Sequence, residues 1–361
     1  MPIFPTLRRV ALLGLTIGVA ACDVVDFAND PKPILEETWS LPATSTSIAV
    51  ATLLPSTVTT VPDSSAFQMS LNPINATRRV GDDCAQCQTL NGTTAIKPAF
   101  VLNTGGSSAL PTNIVGGSLA GATVSYTMNN ALSFDPLKVN TVTQNPQGYM
   151  VIVIRSGANA LGRDSVNGAT TPWPPGQNLQ RVITLGTGNI TGPVTVDITL
   201  TSPASDQPQF INANGTVITS ATISNFRVGS VQVNVPNTVV TSQASTLNLD
   251  GYDKSITDRV ESATLEMTFD NPWPVSGNLN VSFTAPSTSI AKNVALPGAT
   301  NPPAPQKRQV SLTKQDMQTL FGQSVVTGMS GGVVSAAPVT VTPKQKVSIT
   351  NRLILQLRVG G

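Results

Sequence analysis

Period-two alternation runs through most of this chain and restricts what it can become. Residues 149–155, 194–200, 263–269 and 353–359 alternate apolar or β-branched side chains with polar ones. Residues 38–41, 47–54, 66–71, 122–128, 180–185, 231–235, 279–283 and 347–349 read the same way. Such alternation turns one face of a strand to a core and the other to water. The 28 glycines and 28 prolines fall mostly between these runs, where turns need them. The expected class is therefore all-β. The expected architecture is two tandem antiparallel β-sandwich domains of the immunoglobulin-like kind, with one short helix in the second.

That helix is expected at residues 312–322. Thr313 is placed to cap its first turn, and Asp316, three residues on, completes a capping box. Leu312 and Met317 suit a hydrophobic staple, and Met317, Leu320 and Phe321 share a face. Gly322 suits the residue after the helix. The helix is expected to plug one end of a sandwich.

Residues 202–212, rich in Ser, Pro, Gln and Asn, mark the expected boundary. It divides the chain into a first domain at 36–208 and a second at 209–361. The segment ATVSYTMNN at 122–130 is echoed by ATLEMTFDN at 263–271, an offset that suits a domain length. A second echo, Pro172-Trp173-Pro174 against Pro272-Trp273-Pro274, has a different offset. One duplication without insertions cannot produce both. The first pairs a strand with a strand of like alternation and is preferred. Residues 269–275, FDNPWPV, resemble the strand and Asn-Pro turn of the water-stress (late-embryogenesis-abundant) domains, which implies a β-sandwich.

The amino terminus carries its own message. Arg8 and Arg9 precede an uncharged run at 10–21, which ends at Cys22. This is the order of an export signal. The run is too short to span a membrane, which takes about 20 apolar residues. Val19-Ala20-Ala21-Cys22 resembles the lipobox of bacterial lipoprotein precursors. The resemblance implies removal of residues 1–21, lipidation of Cys22, and a lipidated tether at 22–35. The protein would then sit in the bacterial cell envelope, anchored to a membrane at its periplasmic or surface face.

Charge and composition exclude several functions. The chain has 21 Lys and Arg, 19 Asp and Glu, and no histidine. A net charge of +2 gives no basic footprint, so no nucleic-acid partner is expected. Without histidine the chain lacks the commonest general base and the commonest metal ligand. Gly328-Met329-Ser330-Gly331-Gly332 has the nucleophile-elbow spacing but no base to serve it, and reads as a glycine-rich hairpin or loop. Ser311-Leu312-Thr313-Lys314 reads as a strand end followed by the capping box. Gly186 to Gly192 reads as a hairpin connection. Asp250-Gly251-Tyr252-Asp253, with Asp258, reads as a polar turn rather than a calcium loop.

Cys84-Ala85-Gln86-Cys87 holds the two cysteines that remain once Cys22 is lipidated. In an oxidising compartment they are expected to form a local disulfide in a loop. A thioredoxin-type site needs a helix start and a βαβ setting, and the sequence displays neither. No metal site and no cofactor are expected. Trp173 and Trp273 each lie between prolines, so each sits in a stiff turn. Two readings stand for them: an exposed platform that binds a sugar or protein, or an indole folded over the sandwich end.

The expected function is thus a non-catalytic structural or binding role in the envelope, with a protein or glycan partner. The alternatives are a glycan hydrolase working through Asp/Glu pairs, or a lipoprotein that holds an apolar ligand between its sheets; Glu36, Glu37, Glu261 and Glu266 are present, but sequence singles out no pair.

Overall fold

The computed structural model describes residues 35–138, 140 and 147–359. Cys22, the expected export signal and all but the last residue of the expected tether lie outside the described residues, and Leu35 opens the first strand. Among the described residues the protein is all-β with three short α-helices.

The strands are β1 (Leu35–Ser40), β2 (Thr44–Ala49), β3 (Val58–Thr60), β4 (Phe67–Met69), β5 (Ile74–Arg79), β6 (Thr94–Ile96), β7 (Phe100–Ser108) and β8 (Ile114–Ala131). They continue as β9 (Tyr149–Ser156), β10 (Asn159–Asn167), β11 (Asn178–Leu185), β12 (Gly188–Ile190), β13 (Val194–Ser202), β14 (Pro208–Phe210) and β15 (Thr216–Val233). The remainder are β16 (Thr238–Thr241), β17 (Ser245–Asn248), β18 (Val260–Asp270), β19 (Ser276–Ala285), β20 (Thr288–Leu296), β21 (Gln306–Leu312), β22 (Ser324–Val334), β23 (Val339–Val341) and β24 (Lys346–Val359). The helices are α1 (Val80–Asp83), α2 (Ala85–Thr89) and α3 (Lys314–Leu320).

Among these strands one pairing scheme occurs twice. In the first set, β11–β8–β15–β5 form one sheet and β10–β9–β13–β7 another. In the second, β21–β18–β24 continue into β1 and β2, while β20–β19–β22 continue into β16 and β17. β1 and β2 share β24 as one interrupted strand, and β16 and β17 share β22 in the same way. Counted along the chain within each set, the two sheets run 6-3-8-1 and 5-4-7-2. This is the strand order of a jelly roll, and it corrects the immunoglobulin-like expectation, whose sheets run ABED and CFG. Connection order leaves no mark on hydrophobic alternation, so the period-two signal fits either arrangement.

The domain boundary is corrected too. β15, beyond residue 208, pairs along β8. β1 and β2, at the start of the expected first domain, pair with β24 at the far end of the chain. The first set thus lies between the first and second strands of the second set. Ile48 bridges Ser242, so the two ends of the inserted region run side by side. β23 pairs with residues 231–233 of β15 and ties the sets together.

Alternation produces the core. In β13, Val194, Val196, Ile198 and Leu200 are buried while Asp197 is exposed. Burial of one such side chain is worth roughly 1.5–3 kcal/mol. Inward residues of β2, β17, β18, β19, β22 and β24 line a single small void of about 10 Å³, so these two sheets face each other. At the sheet margins β5 runs against β7, β10 against β11, and β20 against β21.

Helix α3 forms where its caps predict. The Asp316 amide donates to Thr313 Oγ1 at 3.1 Å, and the Thr313 amide donates to Asp316 Oδ2 at 2.8 Å. Gly322 follows at φ +74°, a conformation that suits glycine. Met317, Leu320 and Phe321 are buried against the second set. Residues 328–332 are not a hairpin or loop: they lie inside β22. A Cβ on Gly331 would collide with the Asn278 carbonyl of neighbouring β19, so close backbone approach explains the glycine. No helix among the described residues is long and apolar enough to cross a membrane.

Candidate functional site

The two tryptophans define corners of the fold. Trp173 and Trp273 are each 1% exposed, so the structure corrects the reading of an exposed binding platform. Prolines on either side stop the chain from continuing as strand, and the ring turns inward to cover the end of the core. Trp173 Nε1 donates to the Gln177 carbonyl at 3.0 Å, and Trp273 Nε1 donates to Gln345 Oε1 at 3.1 Å.

Each corner is built on a buried asparagine at a strand end. Asn130 Oδ1 accepts from the Leu132 amide, two residues on, at 3.0 Å. Its Nδ2 donates to the carbonyls of Phe134, four residues on, and Trp173. Asn271 repeats this geometry. Its Oδ1 accepts from the Trp273 amide, two on, at 3.0 Å, and its Nδ2 donates to the carbonyls of Val275, four on, and Pro297. The offset between the two asparagines is that of the first sequence echo, so the echo records a shared corner.

A polar cleft of about 510 Å³ lies at the margin between β5 and β7. Arg78, Asn103, Thr195 and Asp197 line it, above a floor at Gly105 and Gly106. Gly105 has φ +142°, and a Cβ there would collide with the Val196 carbonyl. Arg78 grips Asp83 with two bonds, Nε to Oδ2 at 2.9 Å and Nη2 to Oδ1 at 2.6 Å. That contact holds the Asp83 carboxyl below the usual carboxylate range. Asp197 pairs with Arg155 at 3.5 Å, and Thr199 Oγ1 donates to Asn103 Oδ1 at 3.0 Å. These groups offer hydrogen bonds and balanced charge. They do not place a nucleophile beside a free base.

Two other polar clusters stand out. Tyr126 donates its buried hydroxyl to Asp164 Oδ2 at 2.9 Å, and Arg181 lies 3.9 Å from the same oxygen. Burial, and then the Asp164 bond, push the Tyr126 hydroxyl above its ordinary range. Lys97, 2% exposed, donates to Ser202 Oγ at 2.7 Å and to the Pro203 carbonyl. Its ammonium lies 5.2 Å from the Phe100 ring centre and 5.4 Å from that of Phe134. Burial pulls Lys97 down to about 8, against the opposing pull of the Asp135 charge. Sequence reading passed over Lys97, since an isolated lysine carries no periodic signal.

Cys84 and Cys87 form the expected disulfide. The surrounding loop is in fact helical. Cys84 caps α2, and the Cys87 amide donates to Cys84 Sγ at 3.1 Å. Helices of four and five residues are too short to show a period. The sheets around them are antiparallel, so the βαβ setting of a redox motif is missing. Of the carboxylates considered for hydrolysis, Glu266 is tied to Lys307 at 3.2 Å and Glu261 to Arg358 at 3.8 Å, while Glu36 and Glu37 lie on exposed β1. Asp253 caps the turn at 254–259 through the Ser255 amide at 2.8 Å. No group of three or more metal-ligating side chains occurs among the described residues.

No family model matches this chain, and no curated protein matches it. Similar solved structures include a protein described as secreted, from Parabacteroides distasonis ATCC 8503. It is 10% identical with a TM-score of 0.33, over 90% of this chain and all of that one. The structure of infectious bursal disease virus, Gx strain, matches at 10% identity and a TM-score of 0.15, over 90% of this chain and 81% of that one. Superpositions this loose define neither fold nor function.

Proposed function

We propose that this chain is a membrane-anchored lipoprotein of the bacterial cell envelope with a non-catalytic binding role. It would carry two jelly-roll sandwiches, the first inserted into the second. Three observations support the architecture: the repeated strand order, the void lined from both sheets, and the matching asparagine corners.

The observation that carries the binding role is the open polar cleft between β5 and β7. Its ionic groups are engaged in pairs, and its rim of amide and hydroxyl groups suits a hydrophilic partner, protein or glycan. An apolar ligand is less suited, because the void between the second pair of sheets is only about the size of one water molecule. The anchor rests on the amino-terminal sequence. Twelve residues separate Cys22 from β1 and reach at most about 40 Å, which keeps the folded part near a membrane.

Labelling with a fatty-acid analogue tests the anchor. Label is expected on the full chain and none on Cys22→Ala; an unlabelled wild type overturns it. Co-sedimentation with isolated envelope fractions tests the cleft. Asn103→Ala with Asp197→Ala is expected to lower the bound fraction several-fold, and unchanged binding would remove the cleft from the interface.

A further inference from the structure

The second pair of sheets is two-faced. On the outer side of the β21–β18–β24 sheet, Lys307 pairs with Glu266 and Arg358 with Glu261, the dress of a solvated surface. The outer side of the β16/β17–β22–β19–β20 sheet carries no charge in its paired rows. Its central row is Thr241, Ser330, Asn280 and Asn293, matched across four strands. The rows on either side hold serine, threonine, asparagine, alanine, glycine and valine. Val239 is 69% exposed, and Val326 and Val334 are close to half exposed.

We infer that this uncharged sheet face is the two-fold contact surface for a second copy of this chain. Lysine and carboxylates are depleted at interface cores, and these outer rows hold none. A two-fold contact sets every residue of a patch against the same patch, so a charged patch would face its own sign, and this one avoids that penalty. Its short side chains lose little rotamer freedom when covered. Four strands about 4.8 Å apart, with some nine residues of about 3.3 Å each, give a face on the order of 550 Å². Two copies would cover about 1,100 Å², above the roughly 1,000 Å² that a specific interface needs. No aromatic ring stands in these rows to stack on a sugar, which disfavours a glycan as the occupant.

Cross-linking on membranes from cells that make the full chain tests this. Ser330→Cys places one thiol in the central row, and Gln309→Cys places one on the charged face. A bis-maleimide of about 10 Å span is expected to join Ser330→Cys into a dimer of twice the single-chain mass and to leave Gln309→Cys single. Adding Asn280→Arg to Ser330→Cys should abolish the dimer while circular dichroism shows the fold retained. Wild type is the control: a dimer there would report a free Cys22, which counts against the lipid anchor and leaves the sheet contact to be read from the difference. No dimer at Ser330→Cys, equal dimer at Gln309→Cys, or a product joined to a different protein would overturn the inference.

Discussion

Lys97 shows how a single buried residue links this fold to pH. Its charged form lies among phenyl rings and neutral oxygens, with no carboxylate in salt-bridge contact among the described residues. The folded protein releases that proton near pH 8, whereas the unfolded chain holds it to about 10.5. Below pH 8 both states are charged, and burial costs stability in full. As pH rises from 8 to 10.5 the folded state is neutral first, so the cost is relieved. Stability of wild type relative to Lys97→Met is therefore expected to rise by about 3 kcal/mol across that window, at 1.36 kcal/mol per pH unit. Urea denaturation of both proteins at pH 7 and pH 10.5 measures it, and a constant difference would contradict the assigned burial. Asn130 and Asn271 make the complementary case. Each satisfies three backbone groups at a corner, and each replacement by Ala would strand them. A loss of about 2–4 kcal/mol is expected for Asn130→Ala and for Asn271→Ala, read as a shift in denaturation midpoint.

At the level of elements, the short helices divide by what their sequence displays. α3 was legible because its caps and its apolar face are local features, and Thr313→Ala is expected to cost about 1 kcal/mol. α1 and α2 were not legible, since the disulfide and the Arg78–Asp83 pair shape that segment. The Cys84–Cys87 link closes a loop of a few residues and so removes little chain entropy. Cys84→Ser is expected to lower stability by less than about 2 kcal/mol, with the fold retained by circular dichroism. Strands rich in Asn, Ser, Thr and Gly, such as β5, β10 and β22, also went unread. Their exposed faces are polar, and the glycines of β10 and β22 mimic turn signals, whereas the structure uses Gly331 of β22 for close approach to β19.

At the level of the whole molecule, the nesting of one strand set inside the other yields a sharp expectation. Replacing residues 50–235 with a short Gly/Ser linker should leave the second set cooperative, because Ile48 and Ser242 already adjoin. Deleting residues 35–49 should do the reverse: it strips the partner strand from β24 while the first set stays complete. Calorimetry distinguishes the two, with the transition of the second set expected to survive the first change and vanish after the second. The sequence by itself determined the class of fold, the capped helix and the disulfide. Each of these is written in alternation, caps or spacing over a few neighbouring residues. It also carried the repeat, through residues 122–130 and 263–271. Only the tertiary structure decided which strands pair, that β1 and β2 belong with β24, and that the tryptophans turn inward. Those outcomes depend on contacts between residues as much as three hundred positions apart, and a contact at that distance leaves no trace in local chemistry.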